Sequence, residues 1–392
     1  MKGPITMARA RRPLLAAAAA LLSLTQVLAT ESRHAWAAPA RQAVGTPSDP
    51  PPAHQTSPQA AQQGSPTAPS PAALPADVVD IPVSFTVRNV NRSRSVCAVD
   101  GGTYTVRGHL TAPRALLGSG DDLSVTLYQH DIASGEWFWR LDAQGHHLAR
   151  ELAARGHASL TVDRLGYGAS DIPNGTGLCL GGSADIAHQI TQQLRDGDYR
   201  THGADRETPP AFDQVFLAGQ GNGAQLAQIA GYSFDGIDGL VLMDWTDVGL
   251  DPRVNAPFFT ALGPCLSGAD NGYAYYDPTP AAFAEENFTD VPPEVLGLAV
   301  PLRSPHPCGE MVSQPTAVLS DLRHLPGIDT PVLLLFGEHD PRVGDPREQR
   351  ELFTGADTEL VTVPGAGHYV TFGRRADVLH DALADWLTRH GG

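Results

Sequence analysis

The sequence predicts an α/β fold with a mainly parallel sheet covered by helices on both faces. Continuous apolar runs of strand length recur between residues 124 and 363, and helical patterns lie between most of them. This alternation is typical of parallel strands, which are buried on both faces. At 392 residues, 42% of them hydrophobic, the chain can bury a sizeable core. We therefore expect one large domain, at residues 77–392.

The N-terminus has the features of an export signal. Three arginines precede an apolar Leu/Ala run at residues 14–22, and Ala35-Trp36-Ala37 offers an A-x-A cleavage site. The run is shorter than the about 20 residues that a membrane-spanning helix needs. We predict a secretory signal peptide at residues 1–37 and a secreted protein without a membrane span. The Ala, Arg, Gly and Pro bias of the chain indicates a bacterial source.

The next segment, residues 38–76, has the composition of a linker. It holds ten prolines and no aromatic residue, so it cannot bury enough apolar surface to fold. We predict a disordered spacer, and a remnant of processing is the alternative. The formal net charge of −16 for the chain argues against nucleic acid and anionic membrane surfaces as partners.

Eight segments predict the strands of the sheet. The first two alternate apolar and polar residues, as antiparallel edge strands do, and the other six are continuous apolar runs. The eight predicted strands are 83–87, 103–107, 124–128, 159–162, 215–218, 239–243, 332–336 and 360–363. Helical patterns cover 138–155, 224–230 and 375–388.

One stretch, residues 250–318, interrupts the alternation of strands and helices. It is rich in Pro, Gly and aromatic residues and lacks a clear strand pattern, which favours an insertion that forms a lid over the sheet. An exported chain with four cysteines is expected to form disulfides. Three pairings are possible, and we prefer Cys97 with Cys179 and Cys265 with Cys308. The cysteines and histidines lack metal-ligand spacing, so no metal site is predicted.

Five short motifs follow predicted strands in a fixed order. They are His130-Asp131 with Trp137-Phe138-Trp139, the sequence DRLGYGAS at 163–170, Gly219-Gln220-Gly221-Asn222-Gly223, Gly337-Glu338-His339-Asp340 and Gly365-Ala366-Gly367-His368. Together they resemble the motifs of the α/β-hydrolase superfamily over roughly residues 80–390. The resemblance implies an α/β-hydrolase domain of about eight strands. It also implies a lid between the sixth and seventh strands.

The resemblance also assigns the site residues. The third motif stands where the superfamily has its G-x-S-x-G nucleophile turn, so Gly221 takes the nucleophile position and the Asn222 amide faces the oxyanion. His368 corresponds to the catalytic histidine. Asp340 is the expected acid, and Asp244, after strand 239–243, is the backup.

Three departures from the superfamily pattern bear on the chemistry. Gly221 has no side chain, and losing the nucleophile of a serine enzyme costs about 10⁶ in turnover. Asp131 replaces the glycine that follows His130, and its charge would oppose an oxyanion unless burial keeps the carboxyl protonated. Gln220 stands where a histidine is common. An ordinary serine esterase is therefore excluded.

Three functions remain open. The first is an enzyme in which His368 and Asp340 act as a base without a covalent serine, as a water-mediated hydrolase, lyase or cyclase. The second is a catalytically inactive pseudoenzyme that binds a small ligand or a partner. The third is a weak esterase with a relocated nucleophile, Ser134 or Ser170. We expect a small, hydrophobic, carbonyl-bearing ligand and no cofactor, because no phosphate-binding glycine loop is present.

Overall fold

The computed structural model describes residues 77–119, 122–203, 209–248 and 252–391. The predicted signal peptide at 1–37 and the predicted linker at 38–76 lie outside these ranges. No helix within them is long and apolar enough to cross a membrane.

A nine-stranded mixed sheet forms the centre of the domain, in the order β11-β10-β7-β6-β3-β4-β2-β1-β5. The strands from β11 to β4 are parallel, whereas β2, β1 and β5 add an antiparallel edge. The nine are β1 (Val78–Arg88), β2 (Thr103–Pro113), β3 (Ser124–Gln129), β4 (Ala158–Asp163), β5 (Arg200–Thr201), β6 (Gln214–Gln220), β7 (Gly239–Met243), β10 (Val332–Gly337) and β11 (Thr358–Val363). Each of the eight predicted strands lies within one of these. The unpredicted ninth, β5, has two residues, too few for a sequence pattern.

Helices cover both faces of the sheet. They are α1 (Arg114–Ser119), α2 (Trp137–Arg140), α3 (Leu148–Ala154), α4 (Leu180–Asp196), α5 (Asn222–Ser233), α6 (Pro252–Leu266), α7 (Pro280–Asn287), α8 (Pro293–Ala299), α9 (Cys308–His324), α10 (Pro346–Arg350) and α11 (Ala376–His390). The single helix predicted at 138–155 is wrong. The chain turns at Gly145, whose φ is 76°, and His147 caps α3 by accepting a hydrogen bond from the Arg150 amide.

The core has two layers because successive strand residues point to opposite faces of the sheet. In β6, Leu217 packs in one layer with Ile190 of α4, and Phe216 packs in the other with Trp386 of α11. All four side chains are buried. Full burial of each such side chain stabilises the fold by about 1.5–3 kcal/mol.

The chain between β7 and β10 forms an insertion that contains α6 to α9. It also holds a short antiparallel pair, β8 (Tyr273–Ala274) and β9 (His306–Pro307), which is too short to give a sequence pattern. The disulfide Cys265–Cys308 joins α6 to the start of α9 within it. The second disulfide, Cys97–Cys179, joins the loop after β1 to the start of α4. Both are the preferred pairs.

Candidate active site

The turn between β6 and α5 holds Gly221 in a conformation that few side-chain-bearing residues adopt. Its φ is 55° and its ψ is −123°. Neighbouring backbone leaves no room at the flanking glycines. A Cβ at Gly219 would lie 2.1 Å from the Gly223 carbonyl, and one at Gly223 would lie 2.0 Å from the carbonyl oxygen of Gln129. The backbone therefore has the sharp, strained form of a nucleophile turn.

The carboxylate of Asp131 occupies the space above this turn. A Cβ at Gly221 would lie 2.4 Å from Cγ of Asp131. The Asn222 amide donates a hydrogen bond of 2.7 Å to Oδ1 of Asp131. Asp131 therefore fills the place of a nucleophilic side chain and engages the amide that an oxyanion would use. The motif order predicts Asp131 beside this amide, but it does not predict that Asp131 occupies the nucleophile's place.

The imidazole of His368 lies between two carboxylates. Its Nδ1 is 2.9 Å from Oδ2 of Asp340, and its Nε2 is 3.4 Å from Oδ2 of Asp131. The three side chains come from three loops, which follow β11, β10 and β3. All three residues are buried, with at most 9% of their surface exposed. The structure thus brings together the predicted histidine, the preferred acid and Asp131.

Ion pairing sets the charges of this group. Burial opposes the charge of His368, but the Asp340 carboxylate and the hydrogen bond to Asp131 raise its pKa to about 10. Burial also opposes the charge of Asp131, and on its own it would raise the pKa of that carboxyl group. The hydrogen bond and charge of His368, the charge of Arg342 and the Asn222 amide outweigh burial, so the pKa of Asp131 is lowered. At neutral pH His368 is an imidazolium, and Asp131 is an anion rather than the protonated acid that burial alone would give.

Asp244, the backup acid, lies beside Asp340 rather than on the imidazole. Burial and then the charge of Asp340 raise the pKa of Asp244 well above its usual value, so this carboxyl is neutral. Its Oδ1 accepts a hydrogen bond of 2.9 Å from the Gly337 amide. Asp244 thereby supports the loop that carries Asp340.

Two other predicted residues hold the surrounding loops. His130 is buried, and its pKa is lowered well below the usual value by burial and then by the charge of Arg164, so its ring is neutral. Its Nδ1 donates to the Asp131 carbonyl at 2.7 Å, and its Nε2 accepts from the Arg164 amide. Gln220 donates from Nε2 to the His368 carbonyl at 2.9 Å. Both side chains therefore hold the backbone of the loops that carry Asp131 and His368.

The two candidate serines do not contact the imidazole. Ser134 donates from its hydroxyl to the Asp131 carbonyl at 3.0 Å. Ser170 donates to the Asp163 carbonyl and accepts from the Arg107 amide, at the β2–β4 side of the sheet. Neither serine therefore has a base within reach in the structure.

No sequence pattern indicated Arg342, a cation at the site whose side chain is 12% exposed. Its Nη2 lies 3.1 Å from Oδ1 of Asp277, which belongs to the insertion, and its guanidinium stacks on the Tyr276 ring. Its backbone amide donates to Oδ1 of Asp340 at 2.7 Å. The sole sequence signal is its place two residues after Asp340. Within the described ranges, no cluster of three or more His, Cys, Asp or Glu side chains could hold a metal ion.

Three hydrolases are among the solved structures similar to this chain. An esterase from Thermogutta terrifontis, solved with malate bound, is 17% identical with a TM-score of 0.54, covering 79% of this chain and 100% of its own. The enol-lactonase from Burkholderia xenovorans LB400 is 16% identical with a TM-score of 0.53, covering 74% and 99%. A hydrolase from Pseudomonas aeruginosa PA01 is 18% identical with a TM-score of 0.52, covering 74% and 97%.

At these identities the likeness to solved structures shows the fold. No curated protein matches the chain. The alpha/beta hydrolase family matches residues 118–382, which is more than half of the chain and spans every motif of the site. The chain therefore belongs to the alpha/beta hydrolase family.

Proposed function

We propose that this protein is a secreted hydrolase-type enzyme that works without a serine, through Asp131, His368 and Asp340. The observation that carries the proposal is the placement of the Asp131 carboxylate. One oxygen accepts from the Asn222 amide at 2.7 Å, and the other faces the imidazole of His368 at 3.4 Å. Covalent catalysis in this fold uses both groups, because the amide stabilises the oxyanion and a histidine held by an acid transfers the proton.

A carboxylate nucleophile favours a saturated carbon as its target. Attack on a carbonyl would give a tetrahedral adduct that expels Asp131 again, because a carboxylate leaves more readily than an alkoxide. A carbonyl-bearing ligand therefore has less support than a strained cyclic ether such as an epoxide. In that reaction an oxygen of Asp131 bonds to the ring carbon while the ring C–O bond breaks. His368, which is charged, donates its Nε2 proton to the departing oxygen.

The second half of the reaction restores the starting charges. The ester on Asp131 carries no charge, and His368 has given up its proton, so the imidazole becomes the base. It takes a proton from water, whose oxygen attacks the ester carbonyl, and the Asn222 amide stabilises the oxyanion that forms. The C–O bond between the ester carbonyl and the alkoxide breaks, and the alkoxide takes the remaining proton of the added water from the new carboxyl group. The diol leaves, and the Asp131 carboxylate and the imidazolium return. The net reaction adds one water to the epoxide.

The insertion supports a lid function in this scheme. Phe283 and Phe288 of the insertion pack on Tyr369, the residue next to His368. Such a cover would exclude water from the alkylated intermediate until the base is ready, and it must move to admit substrate. The aromatic surroundings suit a small hydrophobic substrate. Secretion is supported by the two disulfides, which persist in oxidising compartments.

A pseudoenzyme is the second candidate, and the burial of the same group favours it. Asp131 and His368 are 3% and 4% exposed, and each satisfies the charge of the other. A closed ion triad of this kind could serve the structure alone. The two candidates differ in whether Asp131 reacts.

Trapping the ester on Asp131 separates them. The full chain, exported through an oxidising compartment, is incubated with small hydrophobic epoxides and primary alkyl halides. With halides, alkylation needs no proton donor, so His368→Ala should accumulate a mass increase on the peptide that contains Asp131. Wild type should turn over the epoxides, and Asp131→Asn should neither turn over substrate nor form the adduct. Asp381→Asn, whose side chain is 66% exposed, is the matched control and should behave as wild type.

Two results would count against the covalent mechanism. The first is the absence of both turnover and adduct across the panel, which favours the pseudoenzyme. The second is turnover that survives in Asp131→Asn, which would leave His368 and Asp340 acting on water without a covalent step.

A further inference from the structure

A buried chain of polar side chains runs from the site into the insertion. The Asn222 side chain donates from Nδ2 to Oε1 of Gln225 at 3.2 Å, and Gln225 donates from Nε2 to Oδ2 of Asp321 at 2.9 Å. Asp321 lies on α9 and is hydrogen-bonded to Asp247, in the loop after β7. These four residues are buried, and Trp245, the next member of the chain, is partly exposed.

The two carboxyl groups receive different numbers of donors. Asp247 accepts at Oδ2 from Gln228 at 2.7 Å and from Gln349 at 2.8 Å, and at Oδ1 from the Trp245 indole at 3.1 Å. Asp321 accepts from Gln225 and from the Tyr232 hydroxyl, each at 2.9 Å. Every one of these partners is a neutral donor, so within the described ranges no cation pairs with either of the two buried carboxyl groups.

Two hydrogen-bonded carboxyl groups in such a place must share a proton. Two anions in contact within a low-dielectric interior repel each other strongly, and a hydrogen bond between two carboxyl groups requires one hydrogen. Asp247, with three donors, is the better stabilised anion. Consistently, burial and then the charge of Asp247 raise the pKa of Asp321 well above its usual value.

We infer that Asp321 is held as a neutral acid that donates to the Asp247 carboxylate, and that it is a positioning residue for the Asn222 amide. Gln225 transmits this effect. With its Nε2 donating to Asp321, Gln225 turns its oxygen towards Asn222 and fixes the first turn of α5. The backbone amide of Asn222 donates to Asp131. This inference concerns the geometry behind Asp131 and holds whether or not Asp131 reacts.

The charged and titratable groups near the pair lie on α5, at the end of α9 and in the loop after β1, and α10 contributes a neutral side chain. Asp247 faces Asp321 from the loop after β7, and Tyr232 faces it from α5. Behind Tyr232, Arg94 acts on the phenol by its charge, and the His324 ring packs on it with centroids 5.3 Å apart. From α10 the pair meets the neutral Gln349. Tyr232 keeps its proton at neutral pH, since burial raises its pKa.

Infrared spectroscopy reads the proton directly. The difference spectrum of wild type minus Asp321→Asn at neutral pH should contain a protonated-carboxyl C=O band. A difference spectrum is needed because the neutral Asp244 contributes a band of its own. Asp185→Asn is the matched control, since Asp185 is buried but ion-paired with Arg92 and should give a carboxylate band only. If that difference spectrum contained a carboxylate band instead, Asp321 would be ionised and the inferred protonation would be wrong.

Amide NMR of Asn222 tests the positioning. Gln225→Met cuts the chain at its middle and should move the Asn222 amide proton and the His368 ring signals, while the Asp321 band stays. Asp321→Asn keeps a neutral side chain that donates to Asp247 and should leave both sets of signals near their wild-type values. If Gln225→Met left the Asn222 amide unmoved while lowering the melting temperature, the network would be structural only and the positioning role would be wrong.

Discussion

The Asp131 carboxylate and Gly221 are sterically interdependent. Cγ of Asp131 would lie 2.4 Å from a Cβ at Gly221, a distance that carbon atoms do not reach without a bond. The glycine at the nucleophile position and the aspartate after His130 are thus one feature of the site. The space above the turn admits either a side chain at position 221 or the Asp131 carboxylate, but not both.

This interdependence predicts the outcome of restoring the serine. Gly221→Ser alone should gain no esterase activity and should destabilise the protein, because the new side chain collides with Asp131. The double variant Asp131→Gly/Gly221→Ser should hydrolyse chromogenic esters in a manner that depends on His368. Equal ester turnover by the single and double variants would show that Asp131 does not occupy the nucleophile's space.

The pKa of His368 gives a second prediction. It is raised from 6.5 to about 10 in the folded protein. The folded state therefore holds a proton that the unfolded state loses, so this group's stabilisation is complete below about pH 6.5 and declines as the pH rises towards 10. Urea unfolding across that range should show the decline, and His368→Ala should flatten it.

The same site predicts the effect of neutralising Asp131. Asp131→Asn removes one of two anions around the imidazole, so the pKa of His368 should fall, as followed by ring NMR signals. Asp381→Asn, an exposed change, should leave it in place. An unchanged His368 titration in Asp131→Asn would mean that Asp340 alone holds the proton.

Sequence patterns predicted the fold well because local signals sufficed. Each buried strand is a short apolar run, and the glycines of the nucleophile turn between β6 and α5 can be recognised from their spacing alone. The His130-Asp131 departure was also visible. What the sequence could not give was that the Asp131 side chain reaches the Asn222 amide, 91 residues away, and that His368 then keeps it ionised. Charge states of buried groups depend on contacts between distant segments.

The ion pair between Arg164 and Glu310 is another contact that no local sequence pattern indicates. Arg164 follows β4, Glu310 lies on α9, and the residues are 3% and 1% exposed at their side chains. Two hydrogen bonds of 2.8 and 3.0 Å connect them, and Tyr167 and Ser183 also donate to Glu310. Glu310→Gln leaves a buried guanidinium without its anion. We expect a loss of about 3–5 kcal/mol in the free energy of unfolding.

An exposed ion pair supplies the control for that measurement. Arg389 and Glu359 are 50% and 42% exposed, and Glu359→Gln should change the free energy of unfolding by about 0–1 kcal/mol. Similar values for the two glutamate variants would mean that the Arg164–Glu310 pair does not hold α9 against the core.

The disulfide within the insertion supplies the last prediction. Cys265 and Cys308 are 43 residues apart in the chain, so the bond should stabilise the fold by about 4 kcal/mol through the entropy of the unfolded chain. Cys265→Ala/Cys308→Ala should lower the free energy of unfolding accordingly, measured by urea titration. Its effect should be strongest on hydrogen exchange in α6, which the bond joins to α9. Exchange that rises equally in α11, which lies outside the insertion, would instead mean that the insertion and the core unfold as one unit.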